Sequence, residues 1–255
     1  MKTIKLFGVV LLTMLMSISF SACGDNDDDN INSGGESSSS TNKYLIKQIL
    51  GNEVGDTALV WTFIYNSDNK ISSISEVSYF DNMSVDSHSY TYGDNSIIVD
   101  NETYNISNGR IISTSNGVIF TYDSDGYLTS ASQNGNTITY TWSGGNMINM
   151  SYKSSSSTEE SESITYEYSN FAFPLNYPYC PEVRDISHDE MMGFPSLLNY
   201  WGKTPKNLPK KYVYKKHSSV EETITYDFTM EDGYPIIIKV TDSHGEITVI
   251  KNQWK

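Results

Sequence analysis

The sequence predicts an all-β fold: an antiparallel meander of about 14–16 short strands, curled into a barrel or half-barrel. Three observations carry that expectation. Asn108-Gly109, Asn116-Gly117, Asp125-Gly126, Asn134-Gly135 and Gly144-Gly145 recur at intervals of 8, 9, 9 and 10 residues, and such dipeptides favour tight hairpin turns because they tolerate positive φ. The intervening segments have strand length and alternate large with small polar residues, as in Thr137-Ile138-Thr139-Tyr140-Thr141-Trp142. Finally, one aromatic-x-aromatic unit repeats along the chain, the mark of an array built by duplicating one hairpin.

Residues 1–22 read as a secretory leader. Lys2 and Lys5 precede an apolar run from Leu6 to Phe20, and Ser21-Ala22-Cys23 follows. The run is about 15 residues, short of the ~20 that cross a bilayer as a helix, so a removed signal fits better than a span. Phe20-Ser21-Ala22-Cys23 resembles the bacterial lipobox, with Phe20 where leucine is commoner. The resemblance implies acylation (palmitate-type chains included) of the Cys23 thiol, a mature chain starting there, and attachment to a membrane. Buried acyl methylenes contribute ~0.8 kcal/mol each, so several chains hold firmly.

Residues 23–42 form a lipidated, acidic and Ser-rich tether. GDNDDDNINSGGESSSST, from Gly24 to Thr41, has one apolar residue and cannot offset its ordering entropy, so a flexible coil is expected. Its early cluster Asp25, Asp27, Asp28, Asp29 resembles the acidic export signal that follows the lipidated cysteine in surface-exposed lipoproteins of Bacteroidetes. That implies the cell surface, with the inner leaflet of the outer membrane as the alternative. Asp25, Asp27, Asp29, Ser33 and Glu36 also match positions of a calcium loop. Asn30 replaces the turn glycine, however, and no amphipathic helix flanks the stretch, so no metal is expected.

The body spans residues 43–255. The repeated unit stands at Phe63/Tyr65, Tyr90/Tyr92, Phe120/Tyr122, Tyr140/Trp142, Tyr166/Tyr168, Tyr212/Tyr214 and Tyr226/Phe228. The 19 tyrosines could be a stacking platform for sugars, but strict alternation favours the inner face of a curled sheet. Between about residues 171 and 209 the hairpin rhythm stops and prolines cluster. There Ser187-x-x-Glu190 is a capping box with Gly193 as a stop, and Pro195 opens a second short helix ending at Trp201-Gly202. Met191, Met192, Phe194, Leu197, Leu198 and Trp201 make that helical insert apolar, so it is expected to pack on the concave face of the sheet.

Alternating aromatic and polar residues also describe outer-membrane barrels. Here most segments are shorter than the 9–11 residues of a spanning strand, and tyrosine is spread throughout rather than held at two interfaces. Formal charge is −14, and loss of Lys2 and Lys5 makes it more acidic still, so nucleic acid is excluded as a partner. With Cys23 acylated, only Cys180 remains and no internal disulfide can form; Cys180 reads as a small buried residue. His88, His188, His217 and His244 are scattered, and no HExxH, G-x-S-x-G, P-loop or G-x-G-x-x-G pattern occurs. His188-Asp189-Glu190 sits at a helix start, where acidic residues suit the dipole, and Glu221-Glu222 is too generic for a glycosidase pair. The expectation is therefore no enzyme, with no catalytic residue, metal or cofactor. Asp56-Thr57-Ala58 resembles the acidic-Thr-small sequon for O-glycosylation in exported Bacteroides proteins, which implies modification at Thr57.

The lipobox with its acidic tail, the aromatic hairpins, and the run Tyr200-Trp201-Gly202-Lys203-Thr204-Pro205-Lys206-Asn207-Leu208-Pro209 together resemble a family of Bacteroidetes lipoproteins with a domain of unknown function described as porin-like. The resemblance covers roughly residues 44–254 and implies a fold and an outer-membrane address, but no activity. The resulting expectation is a lipid-anchored, non-catalytic binding or scaffold module with a protein or glycan ligand. The alternative is a half-barrel carrying a hydrophobic or glycan ligand in its groove.

Overall fold

The computed structural model describes residues 43–79, 83–156, 162–174, 176–177 and 200–255. The leader, the tether with Cys23, Cys180, the His188 cluster and nearly all of the two helices expected after Ser187 lie outside the described residues. Sixteen antiparallel strands form one closed barrel. In chain order they are β1 (Leu45–Asn52), β2 (Thr57–Tyr65), β3 (Ile71–Ser78), β4 (Ser84–Tyr92), β5 (Ser96–Val99), β6 (Glu102–Ser107), β7 (Arg110–Thr114) and β8 (Ile119–Tyr122). There follow β9 (Leu128–Gln133), β10 (Asn136–Ser143), β11 (Asn146–Lys153), β12 (Glu162–Ala172), β13 (Asn207–Lys216), β14 (Ser219–Glu231), β15 (Tyr234–Thr241) and β16 (Ile247–Trp254). Each strand pairs with its sequence neighbours, and β1 pairs with β16 from Leu45↔Trp254 to Asn52↔Thr248. Two bonds between Tyr44 and Lys255, of 2.9 and 3.0 Å, finish the seam. The sheet is thus closed, not a half-barrel. The expected insert is also shorter than its sequence bounds, since β12 runs on through Ala172 and β13 starts at Asn207.

Turn chemistry explains the hairpins, in two forms. Asn108-Gly109, Asn134-Gly135, Gly144-Gly145 and Asp232-Gly233 have both central residues at positive φ, the two-residue turn whose twist matches the strands. At Asn116-Gly117, Asp125-Gly126 and His244-Gly245 only the glycine is at positive φ. These are three-residue loops: Gly117 N donates to Thr114 O at 3.0 Å and Thr114 N to Val118 O at 3.0 Å, and Asp123 and Asp242 open the same pattern. The β13–β14 turn uses the two-residue form without glycine, with His217 at φ 45° and Ser218 at φ 69°. Ser218→Gly is expected to raise stability by about 0.5–1 kcal/mol, because left-handed backbone costs an L-residue roughly 1–2 kcal/mol and glycine's unfolded-state freedom offsets part of the gain. Urea unfolding of the two proteins measures it.

The repeat is eightfold, with one copy on every even-numbered strand; Tyr212/Tyr214 is not a copy of it, because that pair falls on odd-numbered β13. The first position is occupied by Phe63, Tyr90, Tyr104, Phe120, Tyr140, Tyr166, Tyr226 and Asn252, all buried in the barrel interior. Two residues on, Tyr65, Tyr92, Ile106, Tyr122, Trp142, Tyr168, Phe228 and Trp254 are half-buried against the same core. The odd strands supply aliphatic partners such as Leu45, Ile71, Ile97, Ile111, Leu128 and Met147. The tyrosines are therefore mostly core. Outward positions carry threonine and charge instead: Thr139, Thr165, Glu167, Lys210, Thr225, Asp227, Lys239 and Lys251 are exposed. Exposed Ile64, Ile112, Ile119 and Ile148 are dispersed over different strands. A lipid-facing barrel needs the reverse pattern, an apolar band outside and polar groups within.

Even strands run toward the end where Lys43 and Lys255 lie, so the connection from Ala172 to Asn207 is at that end too. The remainder of the fold matters for function mainly through this asymmetry.

Candidate functional site

Seven of the eight hairpins open near the terminal end. Between β1 and β2 the ladder stops at Lys47↔Thr62, between β3 and β4 at Ser73↔Ser89, and between β11 and β12 at Asn149↔Thr165. In each case it stops just before the first ring of the repeat. The second ring then spans the gap and donates to a carbonyl of the preceding strand. Tyr65 Oη donates to Leu45 O (2.8 Å), Tyr92 to Ile71 O (2.9 Å), Tyr122 to Ile111 O (2.7 Å) and Tyr168 to Met147 O (2.6 Å). The indole Nε1 of Trp142 does the same to Leu128 O (2.7 Å), and that of Trp254 to Pro235 O (3.0 Å). The β5–β6 ladder instead runs on to Ser96↔Asn105, and there Ile106 takes the place of the ring. Tyr168→Phe is expected to cost about 1–2 kcal/mol, since the Met147 carbonyl loses its donor at a half-buried site; the shift in urea midpoint at constant slope measures it.

A circular barrel of this strand number leaves an aqueous channel, whereas here large buried side chains from most strands converge in the described interior. The two described ends of the 173–206 connection enter it. Trp201 meets Phe120 edge-on at 5.0 Å and Tyr104 at 6.4 Å, and Tyr200 lies 6.3 Å from Tyr92. On the other side Tyr177 packs 5.5 Å from Trp254 and 5.9 Å from Phe173. The described ends of the insert thus pack on the concave face, with Tyr200 in a turn and Trp201 in a bend rather than in a helix. Tyr177 brings its hydroxyl to the amides of Asn252 and Gln48; burial pushes it up to about 12, and those two amides oppose the shift. Gln48 Nε2 donates to Asn252 Oδ1 at 3.0 Å and Asn252 Nδ2 to Pro235 O at 2.9 Å. Gln48 Oε1 is buried without a partner among the described residues. It lines a cavity of about 20 Å³ that it shares with Tyr177, Tyr226 and Phe228, room for about one water.

The larger concavity is outside the wall. About 560 Å³ lies between the end of β12 and the outer faces of β13 and β14, bordered by Ser169, Phe171, Lys210, Lys211, Asp227 and Phe228. The β12–β13 register shifts at Tyr168↔Pro209 and again at Ala172↔Asn207, so the residues from Ser169 to Phe171 have no ladder partner on β13 and the strand is irregular there. Ser169 Oγ donates to Leu208 O at 2.9 Å. Phe171 is 44% exposed and meets Phe228 edge-on at 6.3 Å. Lys211 and Lys210 approach Glu167 at 3.0 and 3.8 Å, and the Lys211 hydrogen bond holds that carboxyl below its ordinary value. Tyr226 and Phe228 also line the inner cavity, so these two rings are the partition between core and groove.

The residues singled out by the sequence are not brought together. Thr57 opens β2, exposed on the far rim, beside Asp56, whose amide N donates to Asn52 Oδ1 at 2.9 Å. His88 pairs with Asp100 Oδ2 at 2.7 Å on the surface, and that hydrogen bond lowers the Asp100 carboxyl. His217 and His244 occupy separate turns. Glu221 and Glu222 are sequence neighbours on one strand and point to opposite faces. Glu222 accepts from Tyr212 Oη at 3.4 Å and burial raises its carboxyl, while Glu221 is exposed. Among the described residues no three His, Cys, Asp or Glu side chains are grouped to hold a metal. The outer groove was missed by sequence reasoning; its signals are Phe228 where a hydroxyl or indole is the rule, and the lysines that crowd residues 203–216.

No family model matches the chain, and no curated protein matches it. Among solved structures it is similar to a porin-like protein from Bacteroides uniformis, at 16% identity over 83% of this chain and 98% of that chain, with a TM-score of 0.43. A porin-like protein from Bacteroides vulgatus is similar at 14% identity over 84% of this chain and 99% of that one, TM-score 0.43. At this distance the architecture rests on the strand pairing itself.

Proposed function

We propose that this chain is a lipid-anchored outer-membrane lipoprotein of the porin-like Bacteroidetes family, displayed at the cell surface as a non-catalytic binding or scaffold module. The observation that carries the reading is a closed barrel whose described rings and aliphatic side chains point inward, while its outward positions are mostly polar. Among the described residues the outward positions are largely polar, unlike the continuous apolar band of a spanning barrel, which supports a working surface on the outside. The leader and Phe20-Ser21-Ala22-Cys23 support the anchor. The barrel's first strand begins at Leu45, so the tether joins at the end that holds the β12–β13 connection, and the odd-to-even turns, with Thr57, are at the opposite end. An exposed Thr57 is open to glycosyl transfer. The acidic tether and net charge of −14 support a surface that stays soluble and repels anionic polymers.

Mass spectrometry of the protein from membranes of its native host tests the anchor: an acylated N-terminal Cys23 is expected, and a free thiol or a retained leader overturns it. Protease shaving of intact cells tests display. Loss of the barrel from unpermeabilised cells is expected, and full protection places it on the inner leaflet.

A further inference from the structure

The β13–β14 hairpin breaks the rule the other splayed hairpins obey, and the break coincides with the outer groove. Its ladder ends at Lys211↔Thr225, while β13 starts at Asn207 and β14 continues to Glu231. Among the described residues, the edge of β14 from Asp227 to Glu231 has no ladder partner on its β13 side. Elsewhere a tyrosine hydroxyl or a tryptophan indole spans the corresponding gap. Here the residue is Phe228, which has no donor, and Pro209, which the register would set opposite Asp227, has no N–H to give. The gap therefore stays open to the groove of about 560 Å³.

An open strand edge is a template for another chain, its N–H and C=O groups spaced to accept an extended peptide. The side chains around it say what kind. Phe171 and Phe228 offer apolar surface at one level of the groove. Lys210 and Lys211 stand at another, within a run that also holds Lys203, Lys206, Lys215 and Lys216 in a chain of net charge −14. Their contacts with Glu167 are exposed pairs, which contribute little and exchange readily. Asp227 is the one acid on the groove's lining.

We propose that this groove binds an extended peptide of a partner protein, added as a strand to the free edge of β14. A carboxylate of that peptide sets against Lys210 and Lys211, and an apolar side chain covers Phe171 and Phe228. This names the partner class of the binding module proposed above and rests on that reading. Its test is independent of acylation and cell address, so the two fail separately.

The probe is the fluorescein-labelled hexapeptide of alternating Asp and Val, titrated by polarisation against the purified full chain, with the Lys and Val hexapeptide as control. Saturable binding is expected for the acidic peptide only, weakening as salt rises. Lys210→Glu combined with Lys211→Glu is expected to weaken it roughly tenfold or more. Phe228→Tyr, which restores the bridging hydroxyl of the other hairpins, is expected to weaken it without lowering the melting temperature. No saturable binding below about 1 mM, equal binding of both peptides, or unchanged binding in both variants overturns the proposal. So does displacement of the acidic peptide by a neutral hexasaccharide, which makes the groove a glycan site.

Discussion

Replacing Trp201 by alanine is expected to cost about 3–5 kcal/mol, the range for truncating a buried aromatic that leaves a cavity. The side chain is 2% exposed and sits edge-on to Phe120 and Tyr104. The chain around it cannot easily collapse into the void. Ile111 N donates to Tyr200 O at 2.8 Å, and Lys203 N donates to Gly126 O at 2.9 Å, so the residues before and after are tied to β7 and to the β8–β9 turn. Gly202 itself has φ +80°, and a Cβ there would run into the Gly126 carbonyl and the Tyr122 ring. Gly202→Ala should therefore lower stability as well, without removing any core atom. Against a total stability of roughly 5–15 kcal/mol, the tryptophan alone decides whether this side of the barrel holds. Urea unfolding followed by far-ultraviolet circular dichroism measures both variants. A loss under about 1 kcal/mol for Trp201→Ala would mean that the connection lies on the barrel without supporting it.

How much of this was legible in the sequence follows from the range of the interactions. Hairpins are local, and the Asn-Gly, Asp-Gly and Gly-Gly dipeptides placed them; two of those turns, and the one at His244-Gly245, are one residue longer than the dipeptide suggests, because the backbone carbonyl of an Asp or Thr three positions earlier accepts the glycine's N–H. Alternation told inside from outside, since side-chain direction has period 2 along any strand. The closure of the barrel was not legible. It depends on Leu45 meeting Trp254, a contact with no local signal. Two copies of the repeat were also hidden, Tyr104/Ile106 and Asn252/Trp254, because a polar or aliphatic residue fills one of the two aromatic positions. The bridging role of the second ring shows only when its acceptor, one strand away, is in view. The groove is long-range in the same sense: Phe171 reaches Phe228 across 57 positions, and only a complete set of eight hairpins exposes Phe228 as the odd member.

The same buried hydroxyls should make the barrel unusually sensitive to alkali. Burial raises Tyr65, Tyr92 and Tyr122 well above the ordinary tyrosine value, with smaller contributions from Tyr44 and Tyr92 at Tyr65, Tyr200 at Tyr92, and an opposing one from Arg110 at Tyr122. Tyr177 is pushed up to about 12. Below a pH of about 10 these groups are neutral whether the chain is folded or not, and the folded state keeps its full stability. As pH rises further, the unfolded chain releases its phenolic protons first and binds fewer protons than the native barrel. Stability then falls with pH, by roughly 1.4 kcal/mol per pH unit for each tyrosine. Four such groups titrating together remove several kcal/mol within one unit, enough to unfold a barrel of ordinary stability between about pH 10.5 and 12. Tyrosinate absorbance near 295 nm and circular dichroism, followed on one sample, should change together in a single steep transition. The variant Tyr122→Phe should show a shallower dependence on pH. Smooth, independent ionisation around pH 10 with the sheet intact would mean that these hydroxyls are open to water, and that the carbonyls at the start of each odd strand are held by something other than the rings.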